Sequence, residues 1–146
     1  MIVVVDLDGT LCNSGHREHL ARAKEWDAFH GGLMNDDPWP DVQRMIKLMD
    51  DAGYTVIGLT GRNERYRVVT MQWLALHDIA LDALLMRPND DYQSDHELKP
   101  AMLDAWLEVK GLTHADVWVI LEDRERVTEA FRNIGHNVWQ VRSPGY

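Results

Sequence analysis

The sequence predicts an α/β fold in which helices cover both faces of a parallel β-sheet of about five strands. Short apolar runs alternate with amphipathic helical segments along the chain, and this alternation is typical of parallel sheets with right-handed crossovers. The polar motifs fall where the predicted strands end, at the sheet edge where open α/β folds bind ligands. A length of 146 residues is usual for one domain, so we expect residues 1–146 to form a single domain.

The first element is the strand Ile2–Val5, an uninterrupted β-branched run. Four residues are too few for a helix, and a run without alternation indicates a strand buried on both faces. Asp6 and Asp8 follow it directly, and Gly9 allows the chain to turn away. We therefore expect a pair of carboxylates at the carboxyl edge of the sheet.

Residues 16–30 are predicted to form one helix, because apolar residues at every third position give the segment a narrow apolar stripe. The stripe consists of Leu20, Ala23, Trp26 and Phe29. Pro38 and Pro40 end the pattern. The helix thus belongs to a small insert, about residues 13–37, between the first strand and the next crossover helix.

That crossover helix is predicted to begin at Pro40 or Asp41 and to end at Gly53, since proline favours the first helical turn and glycine the position after the last. The second strand, residues 54–59, runs directly into Thr60-Gly61-Arg62. Asn63 is expected to cap the helix that follows.

The third strand is predicted at residues 81–86, followed by a solvated loop at 89–96. Lys99-Pro100 is expected to begin a helix, because proline suits the first turn and holds the preceding residue extended. Lys99 would then lie at the N-terminus of that helix. The fourth strand, residues 117–121, ends at Glu122-Asp123-Arg124.

The last strand is predicted at residues 138–141. Amphipathic spacing also predicts a buried position for Leu76 in the helix after Asn63 and for Ile134 in the helix after the fourth strand.

Composition limits the partners and the compartment. The formal net charge of −9 disfavours extended binding along a duplex, but it permits a small anion or the tip of a strand as ligand. Cys12 is the single cysteine and cannot form an intramolecular disulfide; we interpret it as a buried packing residue. Neither a signal peptide nor a long apolar run is present, so we expect a cytoplasmic protein without membrane association.

Four sets of residues resemble the four motifs of the haloacid dehalogenase (HAD) phosphatase superfamily, in the same order and at strand or helix ends. They are D-x-D-G-T at residues 6–10, Thr60 in G-L-T-G-R, Lys99, and Glu122 with Asp123. The resemblance implies a three-layer Rossmann-like fold with strand order 5-4-1-2-3 and a small helical cap. It also implies hydrolysis of a phosphomonoester through an aspartyl-phosphate.

The resemblance further assigns roles to the motif residues. Asp6 would be the nucleophile and Asp8 the general acid and base, for which we expect the neighbouring carboxylate to raise the proton affinity of Asp8. Lys99, Thr60 and Gly61 would stabilise the phosphoryl group. The expected cofactor is Mg²⁺, held by Asp6, the main-chain carbonyl of Asp8 and Asp123, with Glu122 as a ligand or acting through Lys99.

A closer resemblance is to the 3′-phosphatase domain of phage-type polynucleotide kinase/phosphatase enzymes. It is based on I-G-H-N-V-W-Q-V near the end, E-D-R in the fourth motif and the arginine of H-R after the first motif. By this likeness Arg17, Arg62 and Arg124 are candidates for binding substrate phosphate. The kinase P-loop, G-x-x-x-x-G-K-[ST], does not occur, so we expect a phosphatase domain without a kinase half.

The favoured substrate is therefore a 3′-phosphate on a nucleotide or nucleic-acid end. The alternatives are a 5′-nucleotidase, a phosphatase of small metabolites, and a non-catalytic phosphate-binding or receiver-like module. The third strand ends without the aspartate that a receiver domain requires. Trp26, Tyr66 and Tyr92 either stack on a base or pack in the protein. The oligomeric state stays open.

Overall fold

Five strands pair into one parallel sheet in the computed structural model, which describes residues 1–142. They are β1 (Ile2–Val5), β2 (Thr55–Asn63), β3 (Ala83–Arg87), β4 (Val117–Glu122) and β5 (Val138–Gln140). Their order across the sheet is β3-β2-β1-β4-β5, which is the predicted order counted from the opposite edge. The α/β fold class is confirmed.

The central strand β1 explains why the sheet has a core on each face. Its side chains alternate between the faces, so Val3 and Val5 join one apolar cluster while Ile2 and Val4 join the other. All four are buried. Because β1 pairs with β2 on one side and β4 on the other, the residues after it lie between the ends of these two strands.

Residues 1–142 contain six α-helices, of which the first two lie in the insert. They are α1 (Glu18–Arg22), α2 (Trp26–Gly31), α3 (Pro40–Asp51), α4 (Arg67–Leu76), α5 (Asp95–Lys110) and α6 (Glu125–Asn133). Residues of α3 and α4 contribute to the core around Val3 and Val5, and residues of α5 and α6 to the core around Val4.

Cys12 is a buried free thiol. Within residues 1–142, no helix is long and apolar enough to cross a membrane.

The single helix predicted at residues 16–30 is wrong. The segment contains a 3₁₀ turn at Gly15–Arg17 followed by the two short helices α1 and α2. The break follows from Lys24, whose φ of 59° is left-handed, and from the Glu25 N–H donating to the Leu20 carbonyl, which is a typical way to end a helix. As a result Trp26 is not part of a continuous buried stripe and is 43% exposed.

The insert is joined to the body by a short antiparallel pairing. Cys12–Asn13 pairs with Asp37–Pro38, close to the limits predicted for the insert, residues 13–37. A second 3₁₀ turn at Leu33–Asn35 completes it. The insert therefore begins and ends at one place beside the carboxyl edge of the sheet.

The predicted start of α5 at Lys99-Pro100 is also wrong, because the helix begins four residues earlier at Asp95. Acidic residues in its first turn, Asp95 and Glu97, stabilise the helix dipole. Pro100 is tolerated there because it removes only one main-chain hydrogen bond near the helix start. Lys99 thus lies inside the second turn, and the predicted solvated loop is shorter than expected.

The remaining differences are at element ends. Asn63 caps a 3₁₀ turn, Glu64–Tyr66, by accepting a hydrogen bond from the Arg65 N–H. Leu76 and Ile134 are 65% and 53% exposed, so their predicted burial is wrong. Leu76 is the last residue of α4 and Ile134 follows the last residue of α6, where amphipathic spacing no longer determines burial.

Candidate active site

Asp6 is the buried acidic residue at the end of β1. Its Oδ1 accepts a hydrogen bond from Lys99 Nζ at 2.6 Å, and its Oδ2 lies 3.0 Å from the Thr10 hydroxyl. Burial, together with the charge of Glu122, raises the pKa of Asp6 to about 6, although Lys99 opposes this shift. Two hydrogen bonds therefore fix the orientation of a carboxylate at the bottom of the site.

Glu122 orients Lys99 from the end of β4. Its Oε2 accepts a hydrogen bond from Lys99 Nζ at 2.8 Å, while its Oε1 accepts from the N–H groups of Asp123 and Arg124 at 3.1 and 3.2 Å. Burial lowers the pKa of Lys99, but Asp6 and Glu122 outweigh it and leave that pKa well above its usual value. Lys99 is thus a fixed positive charge beside Asp6.

Asp123 has a buried oxygen, Oδ2, without a hydrogen-bond partner among residues 1–142. Carboxylate oxygens of Asp6, Glu122 and Asp123 lie within 4.8 Å of one another. Burial and the charges of Asp6 and Glu122 raise the pKa of Asp123 to about 11. A cluster of oxygen donors with excess negative charge fits a hard divalent cation such as Mg²⁺.

Gly9 leaves the space that this cluster needs. Its φ is +84°, and a Cβ atom built on it would overlap the Asp123 carboxylate. A larger residue at this position would therefore push Asp123 away from Asp6.

Asp8 is held by two arginines. Arg62 donates from Nε to Oδ2 at 3.0 Å and from Nη2 to Oδ1 at 2.7 Å, and Arg17 donates from Nη2 to Oδ1 at 2.6 Å. Burial raises the pKa of Asp8, but the charges of Arg62 and Arg17 outweigh it and hold that pKa well below its usual range. The expectation that the carboxylate pair raises the proton affinity of Asp8 is therefore wrong for this arrangement.

Arg17 and Arg62 are themselves buried. Arg17 also donates to both oxygens of Asp36 and to the Phe29 carbonyl, at 2.5–2.9 Å. The remaining terminal nitrogen of Arg62 donates to the Thr70 hydroxyl at 3.2 Å. The structure thus brings two of the three predicted phosphate-binding arginines together around Asp8, whereas the third, Arg124, donates to Asp95.

A cavity of about 430 Å³ lies over the carboxyl ends of β1 and β2. Seven of the ten residues predicted to act in catalysis, phosphate binding or metal binding line it: Asp6, Asp8, Thr60, Gly61, Arg62, Lys99 and Arg124. Arg17, Glu122 and Asp123 are buried outside this lining. The opposite wall comes from α2 and from the loop before α5. The predicted residues therefore form one site. Seven of them face the cavity, and the other three are charged side chains buried beneath it.

Sequence reasoning missed Asp95, which it placed in a solvated loop. Its carboxylate accepts hydrogen bonds from Arg87 at 2.5 Å and from Arg124 at 3.1 Å. The same carboxylate would overlap a Cβ atom built on Gly61. Arg87 also donates to the Gly61 carbonyl at 2.9 Å. The available signal was the spacing of one helical turn between Asp95 and Lys99, which places both on the same helix face.

Comparison with known proteins identifies relatives over the whole chain. The family described as "Polynucleotide kinase PNKP phosphatase domain" matches residues 1–146. A chain of the Pnkp1/Rnl/Hen1 complex superposes with a TM-score of 0.81 at 30% identity, covering 99% of this chain and 46% of that one. A chain of the Pnkp1/Rnl/Hen1 RNA repair complex gives 0.75 at 27% identity, with 99% and 43% covered. This chain thus spans less than half the length of either.

A predicted phosphatase from Clostridium acetobutylicum superposes with a TM-score of 0.70 at 15% identity, covering 94% of this chain and 82% of that one. At this level of identity the likeness concerns the fold alone.

We predict that Gly9→Ala weakens Mg²⁺ binding at least about tenfold, because the new Cβ displaces the Asp123 carboxylate. Isothermal titration calorimetry measures the affinity. Gly53→Ala is the matched control: Gly53 has the same left-handed backbone, with a φ of +86°, but its Cβ would meet nothing within 4 Å. Both variants carry backbone strain of about 1–2 kcal/mol. Equal Mg²⁺ affinity in the two variants would contradict the placement of the cation beside Asp123.

Proposed function

Because this chain belongs to the family of polynucleotide kinase phosphatase domains and is therefore a phosphatase of the HAD superfamily, we propose that it removes a 3′-phosphate from a nucleotide or nucleic-acid end. Asp6 forms an aspartyl-phosphate in this reaction, and Mg²⁺ is required. The observation that supports the mechanism best is the position of Asp6, which lines the cavity with both oxygens oriented by Lys99 and Thr10.

In the first step an Asp6 oxygen attacks phosphorus, and the bond from phosphorus to the leaving oxygen breaks. The Lys99 ammonium and the Thr60 hydroxyl, both lining the cavity, stabilise the negative charge on the phosphoryl oxygens. The two arginines keep Asp8 in its carboxylate form, so the proton for the leaving oxygen enters on the substrate phosphoryl group, since the second pKa of a phosphomonoester is about 6. Asp8 takes this proton from the phosphoryl group and passes it to the leaving oxygen.

In the second step water attacks phosphorus, the acyl-phosphate bond breaks, and phosphate is released with Asp6 regenerated. The Asp8 carboxylate accepts the proton from water, and the two arginines keep it in the ionised form that can do so. Arg17 and Arg62 keep the two oxygens of Asp8 in place.

The proposed ligands of Mg²⁺ are Asp6, Asp123 and the main-chain carbonyl of Asp8. Glu122 acts indirectly, because its two oxygens already accept hydrogen bonds from Lys99 and from main-chain N–H groups. A bound Mg²⁺ ion would reduce the repulsion between these carboxylates and an anionic substrate.

The substrate assignment comes from the family and from the dimensions of the site. The insert at residues 13–37 is small, and the cavity that it lines together with the loop before α5 has a volume of about 430 Å³, which suits a small ligand such as a terminal nucleotide rather than a long duplex. A related chain is part of an RNA repair complex, which agrees with a nucleic-acid end as substrate. The net charge of −9 keeps strand contacts local. The family assignment makes a receiver-like module untenable.

We predict that Asp6→Asn abolishes turnover and that Asp8→Asn removes nearly all of it, because nucleophile and acid–base partner act as one unit. Removing the buried charge of Asp6 leaves the fold intact, as circular dichroism and the urea midpoint will report. Asp90→Asn, an exposed loop position, is the control with full activity. A folded Asp6→Asn protein with a tenth of the wild-type rate would exclude Asp6 as nucleophile.

Excess chelator is expected to silence the enzyme, and added Mg²⁺ to restore it, because the buried acidic cluster otherwise repels the substrate. Initial rates on a chromogenic phosphomonoester measure both effects. Full activity in chelator, or recovery with Zn²⁺ alone, contradicts the proposed cofactor.

For substrate choice, we expect kcat/KM for a 3′-phosphorylated oligonucleotide to exceed that for a 5′-mononucleotide or a sugar phosphate at least about a hundredfold, or about 2.7 kcal/mol of transition-state binding. Steady-state kinetics on the three substrates decide it. A similar preference for either competitor would exclude the 3′-end assignment and leave the phosphatase mechanism unaffected.

A further inference from the structure

Two exposed aromatic side chains line the cavity in addition to the charged residues described above. Trp26 and Tyr92 both line the cavity, and they come from separate parts of the chain, α2 in the insert and the loop before α5. They are 43% and 89% exposed. None of the phosphoryl chemistry described above uses these two side chains.

Trp26 is supported from below by the insert. Its ring lies edge-on to Phe29, with centroids 5.8 Å apart, and Phe29 is buried with the Arg17 guanidinium 4.3 Å above its ring. The next residue, Asp27, accepts hydrogen bonds from Arg65 and from the Tyr66 hydroxyl at 2.5 and 2.7 Å. Trp26 is therefore an exposed ring on a fixed base.

Tyr92 has a fixed backbone and an unpacked side chain. Arg87 donates hydrogen bonds to the carbonyls on both sides of it, Asp91 at 3.1 Å and Gln93 at 2.5 Å. The phenol ring itself is almost entirely in solvent. Because the main chain of this loop is already fixed, binding a ligand to the ring costs little further main-chain entropy.

His30 adds a polar group to the same wall. It lines the cavity, and its Nδ1 is buried without a hydrogen-bond partner among residues 1–142. Its ring packs between Phe29 and Tyr66, at centroid distances of 5.1 and 5.0 Å. Its ring also stacks on Trp26, with centroids 6.4 Å apart, so His30 helps to fix the position of Trp26.

We propose that Trp26 and Tyr92 bind the nucleobase of the nucleotide that carries the phosphate, by stacking on its face. Stacking accepts every base, because each has a π-face. It also needs no positive charge, which suits a chain with a net charge of −9. Tyr66 has a different role, since its hydroxyl binds Asp27 and its ring supports the insert.

This inference rests on the proposed function, and its test uses two 3′-phosphorylated oligonucleotides that differ only in the last residue, one with a base and one abasic. For the wild type we expect kcat/KM to be at least about tenfold higher with the base, mainly through KM. In Tyr92→Ala and in Trp26→Ala the ratio of the two kcat/KM values falls towards one.

Two further variants make the result specific. Tyr92→Phe keeps the ring and retains the ratio, which also distinguishes stacking from an effect of the hydroxyl. Trp139→Ala is the matched control, because Trp139 is 37% exposed but does not line the cavity; it keeps the wild-type ratio. Since Tyr92 is almost fully exposed, Tyr92→Ala folds even if Trp26→Ala does not.

Equal kcat/KM for the two oligonucleotides in the wild type would overturn the proposal, as would variants that lower both values equally. If the wild type hydrolyses neither, the proposed function fails by itself. Calorimetric binding of a nucleoside 3′-phosphate then tests the stacking: tighter binding than inorganic phosphate, weakened about tenfold in Tyr92→Ala, supports it, and equal binding overturns it.

Discussion

Buried charge at the carboxyl end of β1 is the constraint on which the rest of the site depends. Among the described residues, five carboxylates lie together there with little or no exposure: Asp6, Asp8, Asp36, Glu122 and Asp123. Three cations oppose them, namely Arg17, Arg62 and Lys99. With all five carboxylates ionised, the excess of two negative charges equals, with opposite sign, the charge of one divalent cation. Unpaired buried charges cost several kcal/mol each, which explains why Asp6 and Asp123 hold protons more strongly than usual.

The sequence predicted the parts of this arrangement that follow from topology. In a parallel sheet all strands end at one edge, so acids after β1, a threonine in the last part of β2 and acids at the end of β4 had to meet. The fold class came from the alternation of strands and helices, and the strand order came from the family resemblance. Lys99 was placed near the site correctly, but its helix begins earlier, because the acidic first turn outweighs the preference of Pro100 for a helix start.

Partner choice inside the site was harder to predict. An arginine near an acidic motif can bind a substrate anion or a neighbouring carboxylate, and sequence does not distinguish the two. In the structure Arg17 and Arg62 are buried and donate to Asp8. Their burial depends on Asp36, Phe29 and Thr70, which are far apart in the chain. Asp95 was missed for a similar reason, since its contacts with Arg87 and Arg124 form only after α5 packs beside β3.

Arg17 belongs to the insert and yet donates to Asp8 in the body of the protein. Swinging the insert outward on a hinge would remove one of the two guanidinium partners of Asp8 and break the contacts of Asp27 with Arg65 and Tyr66. The insert therefore behaves as a fixed wall. Any displacement of this wall would change the surroundings of Asp8, so the position of the insert and the charge balance of the site are coupled.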